Sequence, residues 1–439
     1  MKQLEKGSSK LLNAWASYDW ANSVYSLVIA SAIFPIYYGQ LFKDKGNLYI
    51  EIFGIALKST ALISFTTAAA FLMVSIFSPL LSGIADYAGN KKSFLKFFCY
   101  LGALSTIGLC WFDLDTIYFS LACYFFGLIG FWGSLVFYNS YLPDIAFPEQ
   151  QDNVSAKGYS MGYLGSVILL IINLAMVMKP DWFGITGTEG EAAIKAMRYS
   201  FISVGIWWIV FSQYAFYYLP KGTQENGNKM HSAVVFNGFK ELKKVWHLLE
   251  DNLRLKRYLL SFFVYSMAVQ TVMLAATYFG EQEIAWESDG QRTMGLIISI
   301  LVIQLVAVIG AVVTSRASVK FGNIPTLIII NCIWMIICVC AFFVVLPVHF
   351  YITAGFVGLV MGGIQSLSRS TYSKFLPETK DTASFFSFYD VSEKIGIVIG
   401  MLLYGLIDQI TGSMRNSIVF LAVLFASGVF LLIRVPKKL

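Results

Sequence analysis

The chain is short of ionisable groups: Asp, Glu, Lys and Arg make up 13% of its 439 residues, and there are 3 histidines. His231, His247 and His349 fall in or beside polar connections, which leaves no material for a buried imidazole relay or a His-dependent membrane enzyme. The six cysteines (Cys99, Cys110, Cys123, Cys332, Cys338, Cys340) sit in or at the edge of apolar runs, without disulfide or metal-ligand spacing. They read as small core hydrophobes. No nucleophile, base and metal set can be assembled from what remains, so neither catalysis nor a metal or cofactor is expected. With so few charges and 57% apolar residues, a solvated globule of this length is excluded.

Long apolar runs are what the chain has. A membrane-spanning helix needs about 20 apolar residues, and twelve segments qualify, near 14–40, 60–82, 94–112, 117–138, 158–178, 199–219, 258–279, 293–315, 325–347, 351–372, 384–406 and 416–434. The expected fold is an all-α polytopic membrane protein. The first segment is too long and too rich in Tyr, Trp and Asn for a signal peptide, and is read as an uncleaved helix. If both termini are cytoplasmic, 22 of the 32 Lys and Arg residues fall on that side, as the bias of basic residues toward cytoplasmic loops requires. The net charge of +6 is then a topology signal and needs no nucleic-acid partner.

The second half repeats the first at an offset of about 233 residues. Gly89-Asn90 returns as Gly322-Asn323, Leu142-Pro143-Asp144 as Leu376-Pro377-Glu378, and the spacing of Gly158 and Gly162 as that of Gly396 and Gly400. Two pseudo-symmetric six-helix bundles are expected, over 1–219 and 258–439, an arrangement that lets halves rock about a shared midplane site. The linker, 220–257, begins as a Gly, Asn and Lys-rich stretch. It continues with Val235, Phe239, Leu242, Trp246 and Leu249 at helical spacing, while Lys240, Lys243 and Lys244 occupy other faces. An amphipathic helix on the cytoplasmic membrane surface is expected there, with a partner-docking helix as the alternative.

Several motifs carry a family resemblance. Gly83-Ile-Ala-Asp86-Tyr-Ala-Gly89-Asn-Lys91-Lys92 resembles the loop signature of the major facilitator superfamily. Tyr18-Asp-Trp-Ala-Asn-Ser23, Phe137-Tyr-Asn-Ser-Tyr-Leu-Pro-Asp144, Ser155 to Gly165, Gly363 to Ser370, Phe386 to Asp390 and Thr411 to Asn416 together resemble the vacuolar amino-acid effluxers and their bacterial relatives. The resemblance implies twelve helices in the major facilitator fold and efflux of amino acids by alternating access, with proton coupling an option. A monomer in membrane lipid is expected; the short loops fit a bacterial cytoplasmic membrane, and the resemblance gives a vacuolar membrane as the alternative. Export of another metabolite or drug, and a non-transporting receptor on the same fold, are the alternatives. Helix 7 departs from the family pattern Tyr-Asn-Asp-Gly-Val-Gln-Thr, reading Tyr265-Ser-Met-Ala-Val-Gln-Thr271 without the acid. The second copy of the loop also lacks its acid, with Arg316 and Val319 in place of Gly83 and Asp86.

Within the first copy, Gly83 and Gly89 permit close approach and a tight turn, Asp86 can pair with a base or cap a helix end, and Lys91 and Lys92 hold the loop at the cytoplasm. It is read as a conformational latch, a merely topogenic loop being the alternative. Gly158, Gly162, Gly396 and Gly400 are expected to let helices 5 and 11 slide between the halves, ordinary packing being the alternative. Charges inside spanning segments are costly unless paired. Asp390, Glu393 and Lys394 stand at i, i+3 and i+4, so one ion pair would leave a carboxylate over as a proton-coupling group, a structural ion pair or a cluster locking helix 11 to a neighbour being the alternative. Asp19 could bind a substrate amine or a proton, or pair with a loop lysine. Arg369 could meet a carboxylate with its bidentate fork, snorkel, or clamp another helix. Asn22 and the uncharged Tyr25, Asn139, Tyr265, Gln270 and Gln365 complete the candidates, on helices 1, 4, 7 and 10, which the resemblance places around the cavity.

Overall fold

The computed structural model describes residues 4–44, 46, 49–52, 54–221 and 233–436. Among the described residues, twelve helices are long and apolar enough to cross a membrane. They are α1 (Ser9–Lys43), α2 (Ser59–Ala88), α3 (Lys91–Trp111), α4 (Ile117–Ile145), α5 (Pro148–Met178), α6 (Gly190–Tyr218), α7 (Leu253–Glu283), α8 (Gly290–Phe321), α9 (Asn323–Ala341), α10 (Pro347–Phe375), α11 (Thr382–Thr411) and α12 (Met414–Ile433). Between α1 and α2 lies an antiparallel hairpin, β1 (Tyr49–Ile52) and β2 (Ile55–Lys58), a departure from helix that the composition did not foretell.

The duplication is built in three dimensions. In the first half α1 packs on α5 and α6, and α3 on α4 and α6; in the second half α7 packs on α11 and α12, and α9 on α10 and α12. Each half has its own apolar core. The halves meet where α2 and α4 touch α11, and where α8 and α10 touch α5, so the interface has the same two-fold relation. Large apolar side chains such as Phe65, Leu104, Ile309, Leu402 and Ile433 stay exposed, as expected where lipid is the solvent.

Two backbone features follow from sequence. Gly89 ends α2 with φ of 59° and Gly322 ends α8 with φ of 89°, so both copies of the loop turn at a residue with no Cβ to oppose a positive φ. Inside α1, Tyr25–Ile33 forms a π-helix. Pro35 follows it: proline donates no N–H and its ring crowds the carbonyl four residues back, which disfavours the α-helical ladder here. Ser31 reinforces the wider turn by donating Oγ to the Ser26 carbonyl at 3.0 Å.

The linker helix occupies Ala233–Asp251. It packs against α2 and α11, with Val245 and Leu249 buried, Trp246 against the Phe388 ring, and Lys244 paired to Asp381 at 2.8 Å. Val245, Trp246 and Leu249 of its apolar stripe thus make protein contacts. The Gly, Asn and Lys-rich stretch 222–232 and the side chains of Val235, Phe239 and Leu242 lie outside the described residues.

Candidate functional site: a polar crevice between the halves

Within the spans, α5, α7, α10 and α11 converge on a small crevice. Its lining is Tyr159 from α5; Phe262, Tyr265, Ser266, Val269 and Gln270 from α7; Ile364, Gln365 and Ser368 from α10; and Tyr389 and Glu393 from α11. Both halves therefore contribute walls. Tyr163 of α5 donates to Gln365 Oε1 at 2.6 Å, and the Tyr265 hydroxyl lies 2.8 Å from Ser368 Oγ and 3.2 Å from the Tyr258 hydroxyl. Ser266 Oγ is buried and has no hydrogen-bond partner.

The crevice has one charged lining residue, Glu393, and it belongs to a triad. Lys394 donates to Asp390 Oδ1 at 2.7 Å and to Glu393 Oε2 at 3.2 Å, while Gln270 donates to Glu393 Oε1 at 2.7 Å. The ammonium also lies 3.8 Å from the centroid of Trp132, a residue of α4 in the opposite half. Asp390 Oδ2 is buried without a partner. The helical spacing thus gives the arrangement read from sequence, with two carboxylates sharing one ammonium.

Toward the face bearing the termini, the crevice ends on a buried ion pair. Arg369 of α10 donates to Asp19 of α1 through Nη1 and Nη2, both at 3.2 Å, to Asn139 Oδ1 at 3.2 Å, to Ser155 Oγ at 2.9 Å and to the Ser155 carbonyl at 3.0 Å. Tyr138 donates to the same Asp19 oxygen at 2.8 Å, and the rings of Trp15, Tyr138 and Tyr159 surround the guanidinium. All five N–H groups of the fork are used. Neither Asp19 pairing with a loop lysine nor Arg369 snorkelling is what the structure has: the two residues neutralise one another across the halves, at 5% and 2% exposure.

Further toward that face the halves are tied twice more. Asp86, at the end of α2, accepts from the Ala383 N–H at 3.2 Å and from the N–H and hydroxyl of Ser384, both at 2.7 Å, so it caps the first turn of α11. Lys91 is buried, bound to Asp144 and to Thr382 Oγ1 at 2.9 Å, and Lys92 donates to the Leu219 carbonyl at 2.6 Å. Lys91 is thus a bridge between halves, in addition to a topology marker. On the symmetric side, Asp152 of α5 accepts from Lys374 Nζ at 2.6 Å, Ser318 Oγ at 2.8 Å and Asn323 Nδ2 at 2.9 Å. The acid that Val319 does not supply comes from the opposite half.

Residues 7–438 match the family described as vacuole effluxer Atg22 like. The chain belongs to that family. It is 31% identical to an uncharacterized MFS-type transporter, YxiO of Bacillus subtilis, over 99% of this chain and 96% of that one. Autophagy-related protein 22-1 of Phaeosphaeria nodorum is 23% identical over 95% of this chain and 88% of its own length. In fold it is similar to the proton:xylose symporter XylE, with a TM-score of 0.72 at 13% identity over 97% and 95% of the two chains. The Escherichia coli fucose:proton symporter gives 0.68 at 15% over 98% of each. This Atg22-like protein is an MFS-type transporter, integral to the membrane and multi-pass.

The Atg22-like architecture sorts the expected site residues. Tyr265, Gln270, Gln365 and Glu393 line the crevice. Asp390 and Lys394 stand behind Glu393, and Asp19, Asn139 and Arg369 form the ion cluster beneath. Asn22 is buried beside Ser23, and Tyr25 stacks on Phe131 inside the first bundle, so neither lines the crevice. Helices 5 and 11 take the places expected for helices 1 and 4. Gly162 faces Ser23 of α1, while Gly396 and Gly400 face Met267 of α7, so these glycines seat α5 and α11 within their own halves and give no sliding surface between them. Gly158 is different, because a Cβ there would enter the space of the Asp19 carboxylate and the Arg369 guanidinium. Met267, which stands where the family's helix-7 acid is expected, is buried against α11 and does not line the crevice. Tyr159, Ser266, Ser368 and Tyr389 lie within the stretches given above, but nothing in the sequence sets them apart from their neighbours; Phe262, Trp132 and Asp152 have no distinguishing pattern.

Proposed function

We propose that this transporter moves a small polar solute, with amino acids as the class, by alternating access, in the direction of efflux and coupled to protons. The observation that carries the reading is the crevice itself. Tyr159 of the first half closes a wall otherwise built by the second half, and the one charged lining residue, Glu393, shares a single ammonium with the buried Asp390. Two carboxylates served by one ammonium leave one negative charge that a proton can neutralise, which is the property a coupling group needs. The interhalf ties at Asp86, Lys91, Asp152 and Arg369 close the crevice toward the face bearing the termini, and their release is the step that would open it there. Amino acids as the solute rest on the family resemblance.

The distribution of Lys and Arg supports a cytoplasmic position for both termini. The described chain is read as a monomer in lipid, needing no cofactor. The deciding experiment places the purified protein in liposomes loaded with a pH dye and records proton movement on adding pooled amino acids. Solute-dependent flux that disappears in Glu393→Gln is the expected result. Absence of flux in correctly inserted wild-type protein would overturn the coupled-transport reading and leave the receptor reading standing.

A further inference from the structure

Resting on the transport reading, we propose that the crevice recognises the ammonium of an organic monocation with an aromatic or apolar body, and that a carboxylate on the ligand is not required. Charge balance is the first support. Asp390 and Glu393 share the single ammonium of Lys394, so with both acids ionised the triad has one negative charge in excess, whereas Asp19 and Arg369 pair one to one. A buried surplus charge is costly until a counter-ion arrives, and a monocation completes the site.

The available hydrogen-bonding groups point the same way. Each Glu393 oxygen accepts one bond, from Gln270 or Lys394, which leaves lone pairs toward the crevice. Ser266 Oγ, buried and without a partner, lines the same space and can accept a second ammonium hydrogen. The rings of Tyr159, Phe262, Tyr265 and Tyr389 line the crevice and offer apolar surface to the rest of the ligand. A ligand carboxylate finds no free cation. Lys394 is 1% exposed and held by two acids and the Trp132 ring, and every N–H of Arg369 is taken.

Thermal unfolding of the purified full chain in detergent tests this with three probes: 2-phenylethylamine, phenylalanine and 3-phenylpropionate. The amine is expected to raise the unfolding midpoint at least as far as phenylalanine does, and phenylpropionate to leave it unchanged. In Glu393→Gln, which keeps an oxygen toward Gln270, the shift with the amine should vanish. Ser266→Ala, a smaller change that preserves folding, should reduce it. A shift with phenylalanine alone would overturn this inference while the amino-acid reading stands. A shift with phenylpropionate and not the amine, or with none of the probes, overturns it too. The transport reading falls separately, through missing proton flux in the liposomes.

Discussion

Asp152 of α5 accepts a hydrogen bond from Lys374 of α10 at 2.6 Å, joining the halves beside the loop copy whose own acid has become Val319. Asp86 does the corresponding work on the other side by capping α11. The two-fold arrangement of the interface is kept although its chemistry is not: in one tie the acid comes from the loop, in the other it reaches the loop from across the interface.

The two ties give a matched pair of predictions. Asp152→Asn and Asp86→Asn should each shift the population toward a state opened at the face bearing the termini, because each replaces a charge-assisted contact with a neutral one. Spin labels at the exposed Ser93 and Lys320 would report a longer-distance population in both variants. Unchanged distance distributions in both would show that the ties do not set the conformational equilibrium.

Arg369→Ala should destabilise the protein by about 3–5 kcal/mol, since it strands Asp19 in a buried site. Arg369→Lys should recover only part of this loss, because a point charge cannot reach Asp19, Asn139 and Ser155 together. The double variant Asp19→Asn with Arg369→Gln should be closer to wild type than Arg369→Ala is. Unfolding curves in detergent measure all three.

Asp390→Asn removes one negative charge without touching the crevice wall. If proton coupling depends on the surplus charge of the triad, this variant should lose solute-dependent proton flux and retain solute exchange. A pH-driven flux equal to wild type would confine the coupling role to Glu393.

The glycines should not behave alike. Gly158→Ala and Gly400→Ala should cost about 1–3 kcal/mol each by overpacking, the first against Asp19 and Arg369 and the second against Thr271 and Met267. Gly396→Ala meets its nearest atoms at 3.5 Å or more and should be tolerated. The order of unfolding midpoints among the three variants is the measurement.

The sequence by itself determined the number of spans, the duplication, the turn glycines Gly89 and Gly322, and the sharing of one ammonium by Asp390 and Glu393. These are legible because they are local: span length, the i, i+3, i+4 geometry of a helix and the need for a positive φ are fixed by neighbouring residues. Only the tertiary structure decided that Asp19 belongs to Arg369, 350 positions away in the chain, that Asp152 supplies the missing acid, and that Tyr25 faces inward while Tyr159 and Ser266 line the crevice. A polar residue on a membrane helix looks the same in sequence whether it faces its own bundle, the opposite half or the crevice. Helix rotation and the packing of twelve spans settle that choice, and a single sequence does not encode them in any short-range pattern.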